Sequence, residues 1–131
     1  MCIRDSFQAI VTHASLWGLT PFVGTTDYSY YWDKEMTPAM VAAHSPDAFA
    51  AAITTPMLVI HGDKDYRVPI GEALRLWYDL QKRGVPSKFL YFPDENHWVL
   101  TPGNAAVWYE TVLAFLAEHV LGEEWQRPGL L

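Results

Sequence analysis

A continuous apolar run, TPMLVI at residues 55–60, is the feature that most constrains the fold of this 131-residue chain. After its leading Thr the run has no polar residue, so a strand built from it presents apolar side chains on both faces. Strands of this kind lie inside parallel sheets whose two faces are covered by helices. Apolar residues at helical spacing follow directly, and Gly84 stands where a C-terminal cap belongs. We therefore predict a buried strand over residues 55–62, followed by a helix.

The segments on either side continue this alternation. FQAIVTHA (residues 7–14) and SKFLYFPDE (residues 87–95) are short and rich in β-branched and aromatic residues, and each predicts a strand. TPAMVAAHSP predicts a short helix with Thr37 as its N-cap, and GNAAVWYETVLAFLAEHVLG predicts a long helix that ends at Gly122. The aromatic stretch LWGLTPFVGTTDYSYYWD is punctuated by Gly, Pro and Thr, and we interpret it as a loop that includes a helical turn.

Strands that alternate with helices across short connections are typical of a parallel α/β sheet with right-handed crossovers. Three strands are few for such a sheet, and the sequence opens on one of them. We therefore expect residues 7–122 to be the C-terminal part of a larger α/β domain and residues 123–131 to form a tail. MCIRDS fits no cap, strand or targeting signal, so we expect residues 1–6 to be a non-native N-terminus.

Charge and cysteine content exclude several classes of function. The formal net charge is −6 and no basic cluster occurs, which argues against nucleic acid and anionic membranes as partners. The longest apolar-rich stretch, residues 105–120, is interrupted by Glu110 and Glu118, so no membrane span is predicted. Cys2 is the single cysteine, which excludes an internal disulfide and a cysteine-based metal site.

Ionisable side chains follow two of the predicted strands. HGDKDYRVP comes after TPMLVI and contains Asp65, and PDENHWV comes after KFLYF and contains His97. Functional residues of parallel α/β sheets gather at the carboxyl ends of the strands, and neighbouring strands lie only about 4.8 Å apart. A carboxylate that accepts a hydrogen bond from His Nδ1–H leaves Nε2 free to act as a general base. Asp65 and His97 thus match two members of a hydrolytic triad, and we expect the carboxylate within about 3.5 Å of Nδ1.

HGDKDYRVP, then LYFPDENHWV and VWYETVLAFLAEHV, resemble the C-terminal end of the prolyl oligopeptidase family of serine peptidases. The similarity runs from about residue 7 onward and is greatest to the acylaminoacyl-peptidase and dipeptidyl-peptidase 5 branch. It implies an α/β-hydrolase catalytic domain, a β-propeller that precedes it and limits access to small peptides, and no cofactor. It also implies that Asp65 is the triad acid and His97 the base. Trp17, Phe22 and Tyr30 would lie beside the pocket for the residue that precedes the cleaved bond.

The sequence departs from the family pattern at the nucleophile. None of the five serines lies in a G-x-S-x-G motif: Ser6, Ser15, Ser29, Ser45 and Ser87. We therefore expect a fragment that lacks the nucleophile strand, the oxyanion donor beside the serine and the propeller. Such a fragment would be inactive alone. Its first strand would have an unpaired edge, which predicts poor solubility or a homo-oligomer.

Simpler interpretations remain open for each of these residues. Asp65 can be a turn residue or a helix N-cap, and His97 an ordinary loop residue. His61 is expected to hydrogen-bond locally, because it sits at the end of the strand. A metal site built from His61, Asp63, Asp65 and His97 matches no ligand spacing, so no metal is expected. The aromatic residues of the long loop can equally be core cover.

Two hypotheses for function follow from the sequence. The first is a serine peptidase that hydrolyses short peptides through a Ser-Asp-His triad, with the acid and base present here. The second is an inactive α/β interaction module whose edge strand pairs with a partner. A non-peptidase α/β-hydrolase such as an esterase is a further alternative, because fold and triad do not choose the substrate. A G-x-S-x-G-G elbow in the upstream coding sequence would favour the peptidase.

Overall fold

The computed structural model describes residues 7–131, so the prediction of a non-native segment at residues 1–6 lies outside the described residues. Three strands alternate with helices along this part of the chain. In chain order the elements are β1 (Ile10–His13), α1 (Leu19–Val23), α2 (Ser29–Glu35), α3 (Pro38–His44), a 3₁₀ helix (Pro46–Ala52), β2 (Met57–Gly62), α4 (Gly71–Lys82), β3 (Ser87–Phe92), α5 (Pro102–Leu116) and a π-helical turn (Ala117–Leu121).

The three strands form one parallel sheet in the order β1-β2-β3. Ile10 is opposite Met57 at the start of the first pair, and Met57 is opposite Ser87 at the start of the second. All six residues of the central strand β2 are buried. The prediction of a parallel α/β arrangement with a fully buried middle strand is therefore confirmed. The parallel order also places the ends of β2 and β3, and the loops that follow them, at the same edge of the sheet.

Each face of β2 packs against a different helix, because successive side chains of a strand point to opposite faces. Met57 and Val59 pack with apolar residues of α4. Leu58 and Ile60 pack on the other side, with residues of β3 and with Phe115 of α5. These two layers are what the continuous apolar run of β2 requires, since neither face of the strand can be left in contact with water.

A third apolar cluster lies beneath the short helices that follow β1. It joins Leu19 and Phe22 of α1 with Met36 and with Val68, which belongs to the loop after β2. The predicted loop is thus replaced by α1 and α2. Pro21 does not prevent α1, because it lies in the first turn, where its missing N–H has no intrahelical partner. The cluster places the segment after β1 directly over the loop that contains Asp65.

Several predicted helix ends are confirmed by the structure. Thr37 Oγ1 accepts a hydrogen bond from Met40 N–H at 3.3 Å, as expected of an N-cap. Gly84 has a positive φ of 68° just beyond α4, and Gly122 has a φ of 72° after the last helical turn. Both glycines adopt the left-handed conformation that ends many helices.

Trp125 joins residues 123–131 to the rest of the chain. Its ring packs against the cluster beneath α5, and the Lys88 ammonium lies 4.2 Å from the ring centroid. Lys88 also pairs with Glu118 at 3.3 Å. No helix within residues 7–131 combines the length and apolar character that a membrane span needs.

Candidate active site

Asp65 lies in the loop that leaves the end of β2, and it is held by backbone amides. Its Oδ1 accepts hydrogen bonds from Arg67 N–H at 3.0 Å and from Val68 N–H at 2.8 Å. The residue is only 2% exposed. These bonds satisfy one carboxylate oxygen within the loop itself, so the other oxygen, Oδ2, is directed to side chains outside the loop.

His97 contacts Asp65 from the loop that follows β3. Its Nδ1 lies 2.8 Å from Asp65 Oδ2, within the distance that the sequence predicts. A carboxylate can only accept, so Nδ1 carries the proton and the neutral ring keeps its lone pair on Nε2. This is the tautomer that a general base in a hydrolytic triad needs. The predicted contact is therefore present, while the catalytic roles of the two residues stay a prediction.

His61 is a second imidazole beside the same carboxylate. It is fully buried, and its Nε2 donates to Val68 O at 2.7 Å and lies 3.5 Å from Asp65 Oδ2. The local hydrogen bond expected from the sequence is thus found. This hydrogen bond joins the end of β2 to Val68, and so it fixes the far end of the loop that contains Asp65. In residues 7–131, no group of three His, Cys, Asp or Glu side chains is arranged to hold a metal ion.

The two loops are in direct backbone contact, which is what brings Asp65 to His97. Lys64 N–H donates to Glu95 O at 2.9 Å, and Asp63 N–H donates to Phe92 O at 2.9 Å. Gly62 lies beneath this junction, and a Cβ placed there would stand 2.5 Å from Asn96 O. A side chain at position 62 would therefore hold the loops apart, and glycine is required by space rather than by backbone angle.

Glu95 anchors the His97 loop through a buried carboxylate. Its two oxygens accept hydrogen bonds from Leu100 N–H at 3.0 Å, Thr101 N–H at 3.0 Å and Asn104 Nδ2 at 2.7 Å. These bonds lower the pKa of Glu95 to about 2, and the bond from Leu100 N–H contributes most. Burial of the carboxylate acts in the opposite direction. The carboxylate is thus strongly stabilised in its charged form.

The low pKa of Glu95 predicts a pH dependence of stability. A depressed folded-state pKa stabilises the fold above the ordinary value of 4.5, and this contribution is lost as the pH falls towards about 2. We expect the difference in free energy of unfolding between wild type and Glu95→Gln to keep its full value above about pH 5 and to shrink steadily below it. Urea denaturation across this range measures it, and titration of the other carboxylates cancels in the difference. A difference that is constant with pH would contradict the prediction.

A pocket of about 210 Å³ opens beside His97. Its other lining residues are Asp27, Lys64, Tyr66, Arg67, Asn96 and Trp98. Arg67 Nε pairs with Asp27 Oδ1 at 2.7 Å, and the guanidinium also lies over the Tyr28 ring, 5.6 Å from its centroid. Asp27 raises the pKa of Arg67 by hydrogen bonding. The pocket therefore combines both signs of charge with aromatic surface beside a histidine.

The three aromatic residues predicted to bind substrate are in different places. Trp17 is 4% exposed in the core against α4, and its Nε1–H donates to Asp79 Oδ2 at 2.8 Å. Phe22 is 1% exposed and packs edge-on to Trp32. Both side chains are enclosed in the core and neither lines the pocket beside His97, so their role in substrate binding stays a prediction. Tyr30 is exposed and its ring is edge-on to that of Tyr28, and its role stays a prediction.

Sequence reasoning missed two carboxylates at the site, Asp27 and Glu95, and a buried one beside it in the chain, Glu72. Asp27 is 40 residues away from its partner Arg67, and no local pattern indicates their contact. Glu72 is buried at the start of α4, where Oε2 accepts the N–H groups of Trp17 and Gly18. Glu95 stands within the PDENHWV motif, and its position two residues before His97 is the one available signal.

The amino-acid sequence of this chain is similar to those of known peptidases. Residues 3–123 match the model of the prolyl oligopeptidase family. The chain is 39% identical to dipeptidyl-peptidase 5 of Aspergillus fumigatus, in an alignment that covers 94% of this chain and 18% of that protein. It thus spans under a fifth of the length of this curated relative.

Solved structures show the same fold at lower identity. A puromycin-hydrolysing peptidase of Mycobacterium tuberculosis superposes with a TM-score of 0.83 at 23% identity, over 94% of this chain and 20% of its own. An acylaminoacyl peptidase in complex with Z-Gly-Gly-Phe-chloromethyl ketone gives 0.78 at 18% identity, over 98% and 22% respectively. The expected α/β-hydrolase fold is therefore confirmed.

Proposed function

The chain belongs to the prolyl oligopeptidase family, and from this we propose that Asp65 and His97 are the acid and the base of a serine peptidase. The observation that carries the proposal is the 2.8 Å contact between Asp65 Oδ2 and His97 Nδ1. Further support comes from the burial of the carboxylate and from the two amides that hold its other oxygen. A loop aspartate with only a turn function would not need a buried oxygen directed at an imidazole.

In the proposed reaction His97 carries each proton. His97 Nε2 takes the proton of a serine hydroxyl as the hydroxyl oxygen attacks the peptide carbonyl carbon, and the imidazolium then donates it to the leaving amine. Asp65 stabilises the imidazolium through its bond to Nδ1 and keeps the ring in the required tautomer. Water attacks the acyl-enzyme in the second half of the reaction, again with Nε2 as base.

The serine is proposed to come from outside these 131 residues. No serine of the chain stands in a G-x-S-x-G motif. The hydroxyls of Ser15, Ser45 and Ser87 hydrogen-bond to Thr12, Asp47 and Val85, at places other than the pocket beside His97. The 131-residue chain on its own is therefore expected to have no peptidase activity.

Short peptides are the proposed substrates. The name of the Aspergillus fumigatus relative favours release of dipeptides from a free N-terminus. The pocket beside His97 offers aromatic surface from Tyr66 and Trp98, and cations from Lys64 and Arg67 that can bind peptide carbonyls. An esterase would use the same acid and base, so the substrate has to be decided by assay.

The test uses the full-length product of the gene that encodes this chain. We expect it to release coumarin from dipeptidyl-aminocoumarin substrates with a free amino group, and to be labelled covalently by a fluorophosphonate. N-acetylated dipeptides, single aminoacyl-aminocoumarins and p-nitrophenyl esters form the comparison panel. Cleavage of the esters without cleavage of any peptidyl-aminocoumarin would favour an esterase. Preference for the N-acetylated peptides would exclude dipeptide release. Absence of both turnover and labelling would overturn the proposal in favour of a non-enzymatic module.

A further inference from the structure

The loop that carries His97 is short, and the histidine itself has few contacts. Within residues 7–131, the imidazole has a single side-chain hydrogen bond, to Asp65, and one ring neighbour, Trp98, at 6.2 Å between centroids. Both His97 and Trp98 are partly or largely exposed. Packing therefore does little to fix the ring, and its position depends on the backbone of the loop.

One residue holds that backbone at both ends. At the first end, Glu95 O accepts the Lys64 N–H, which joins the His97 loop to the loop of Asp65. At the other end, the Glu95 carboxylate accepts the amides of Leu100 and Thr101, just before α5 begins. The Glu95 side chain thus connects the two ends of the segment 95–101 by hydrogen bonds, and His97 lies within this segment.

The carboxylate is also tied to α5 itself. Asn104 Nδ2 donates to Glu95 Oε1 at 2.7 Å, so all the polar partners of the carboxylate are donors. A neutral glutamine in its place has one accepting oxygen, and its NH₂ group would face donors instead of an acceptor. Glu95→Gln keeps the size of the side chain but must leave part of this network unpaired, which lets the loop move relative to α5.

From this geometry we propose that Glu95 is a positioning residue, which holds His97 at hydrogen-bonding distance from Asp65 by fixing both ends of the loop. The inference rests on the proposed function for its catalytic consequence, although the positioning itself is a property of the 131-residue chain. Asn104 supports Glu95 through one of its bonds. The groups that hold the base in place therefore extend from the sheet edge to the start of α5.

The first test measures the ring directly. Two-bond ¹H–¹⁵N NMR of the 131-residue chain reports which nitrogen of the neutral His97 ring carries the proton. We expect the Nδ1–H form to predominate in wild type, and Asp65→Asn to remove that preference. Glu95→Gln should shift the population towards Nε2–H although Asp65 is intact. Asn104→Ala keeps the carboxylate and removes its bond from Asn104, together with an exposed bond to Asp94, and should produce a smaller shift in the same direction.

The second test uses the full-length gene product. A histidine displaced by about 1 Å can cost a hundredfold in rate, so we expect Glu95→Gln to lower kcat by about that factor with little change in KM. Glu110→Gln is the matched control, because Glu110 is an exposed carboxylate on α5 itself, and it should leave both the tautomer and kcat as in wild type.

Other outcomes separate this inference from the proposed function. If Glu95→Gln lowers stability but leaves the His97 tautomer and kcat unchanged, Glu95 has a structural role only and the inference is overturned. Should Glu95→Gln fail to fold, the Asn104→Ala measurements decide in its place, and an unshifted tautomer there counts against the inference. A wild-type product without activity refutes the proposed function, whereas the NMR result still decides whether Glu95 positions the ring.

Discussion

Asp65→Asn is expected to lower kcat of the full-length gene product about 10⁴-fold, with a nearly unchanged fold. The asparagine can keep the bonds to the Arg67 and Val68 amides through its carbonyl oxygen. Its NH₂ group then faces His97 Nδ1, which has to accept instead of donate, and the proton moves to Nε2. A ring protonated at Nε2 cannot take the serine proton, and the loss of this tautomer costs about 10⁴ in serine peptidases of known mechanism.

Steady-state kinetics on a dipeptidyl-aminocoumarin measures this loss, and thermal melts check the fold. Asp63→Asn is the matched control, because Asp63 is an exposed carboxylate of the same loop and has no contact with His97 among the described hydrogen bonds. It should leave kcat near the wild-type value. His97→Ala should reduce activity at least as much as Asp65→Asn, since it removes the base itself. An Asp65→Asn enzyme that keeps most of its activity would show that the observed contact is not used in catalysis.

Gly62→Ala is expected to cost about 3 kcal/mol or more of the free energy of unfolding, the largest effect on stability that we predict. The new Cβ would lie 2.5 Å from Asn96 O and 2.6 Å from Glu95 O. Both are backbone atoms, so no side-chain rotation relieves the clash and the two loops have to separate. The bond from Lys64 N–H to Glu95 O is lost as they do.

Gly103→Ala is the control for this substitution. No atom lies within 4 Å of a Cβ at that position, and it is in the first turn of α5, so alanine should be neutral or stabilise by up to about 1 kcal/mol. Urea denaturation gives both values. If Gly62→Ala were as stable as wild type, the two loops would not be in contact in solution, and the same result would count against the role of Glu95.

The family match and the contact between Asp65 and His97 rest on different features of the chain. The match to the prolyl oligopeptidase family rests on the order of residues along the chain. The contact between Asp65 and His97 rests on the meeting of two loops at one edge of a parallel sheet. Local propensity predicts the strands. Parallel pairing of β2 and β3 places the ends of both strands at the same edge of the sheet, so the loops that follow them meet there.

Sequence alone was sufficient for the elements that have strong periodicity. β2, α4, β3 and α5 are found where the apolar patterns place them, and Thr37, Gly84 and Gly122 mark helix ends as expected. It was insufficient for residues 16–33, where Gly and Pro suggested a loop and the chain forms α1 and most of α2 instead. In that segment the helices are stabilised by a cluster that includes Val68, a residue far along the chain.

What the sequence by itself determined was therefore the parallel sheet and the pair at its edge, because strand patterns are local and short strand–helix–strand connections favour parallel neighbours. Only the tertiary structure decided which aromatic residues are enclosed, which carboxylate pairs with Arg67, and that Glu95 closes the His97 loop. Burial and hydrogen-bond partners depend on which surfaces meet when the layers pack. An exposed and a buried carboxylate, such as Asp63 and Glu95, look alike in sequence, since the difference lies in the amides that surround one of them.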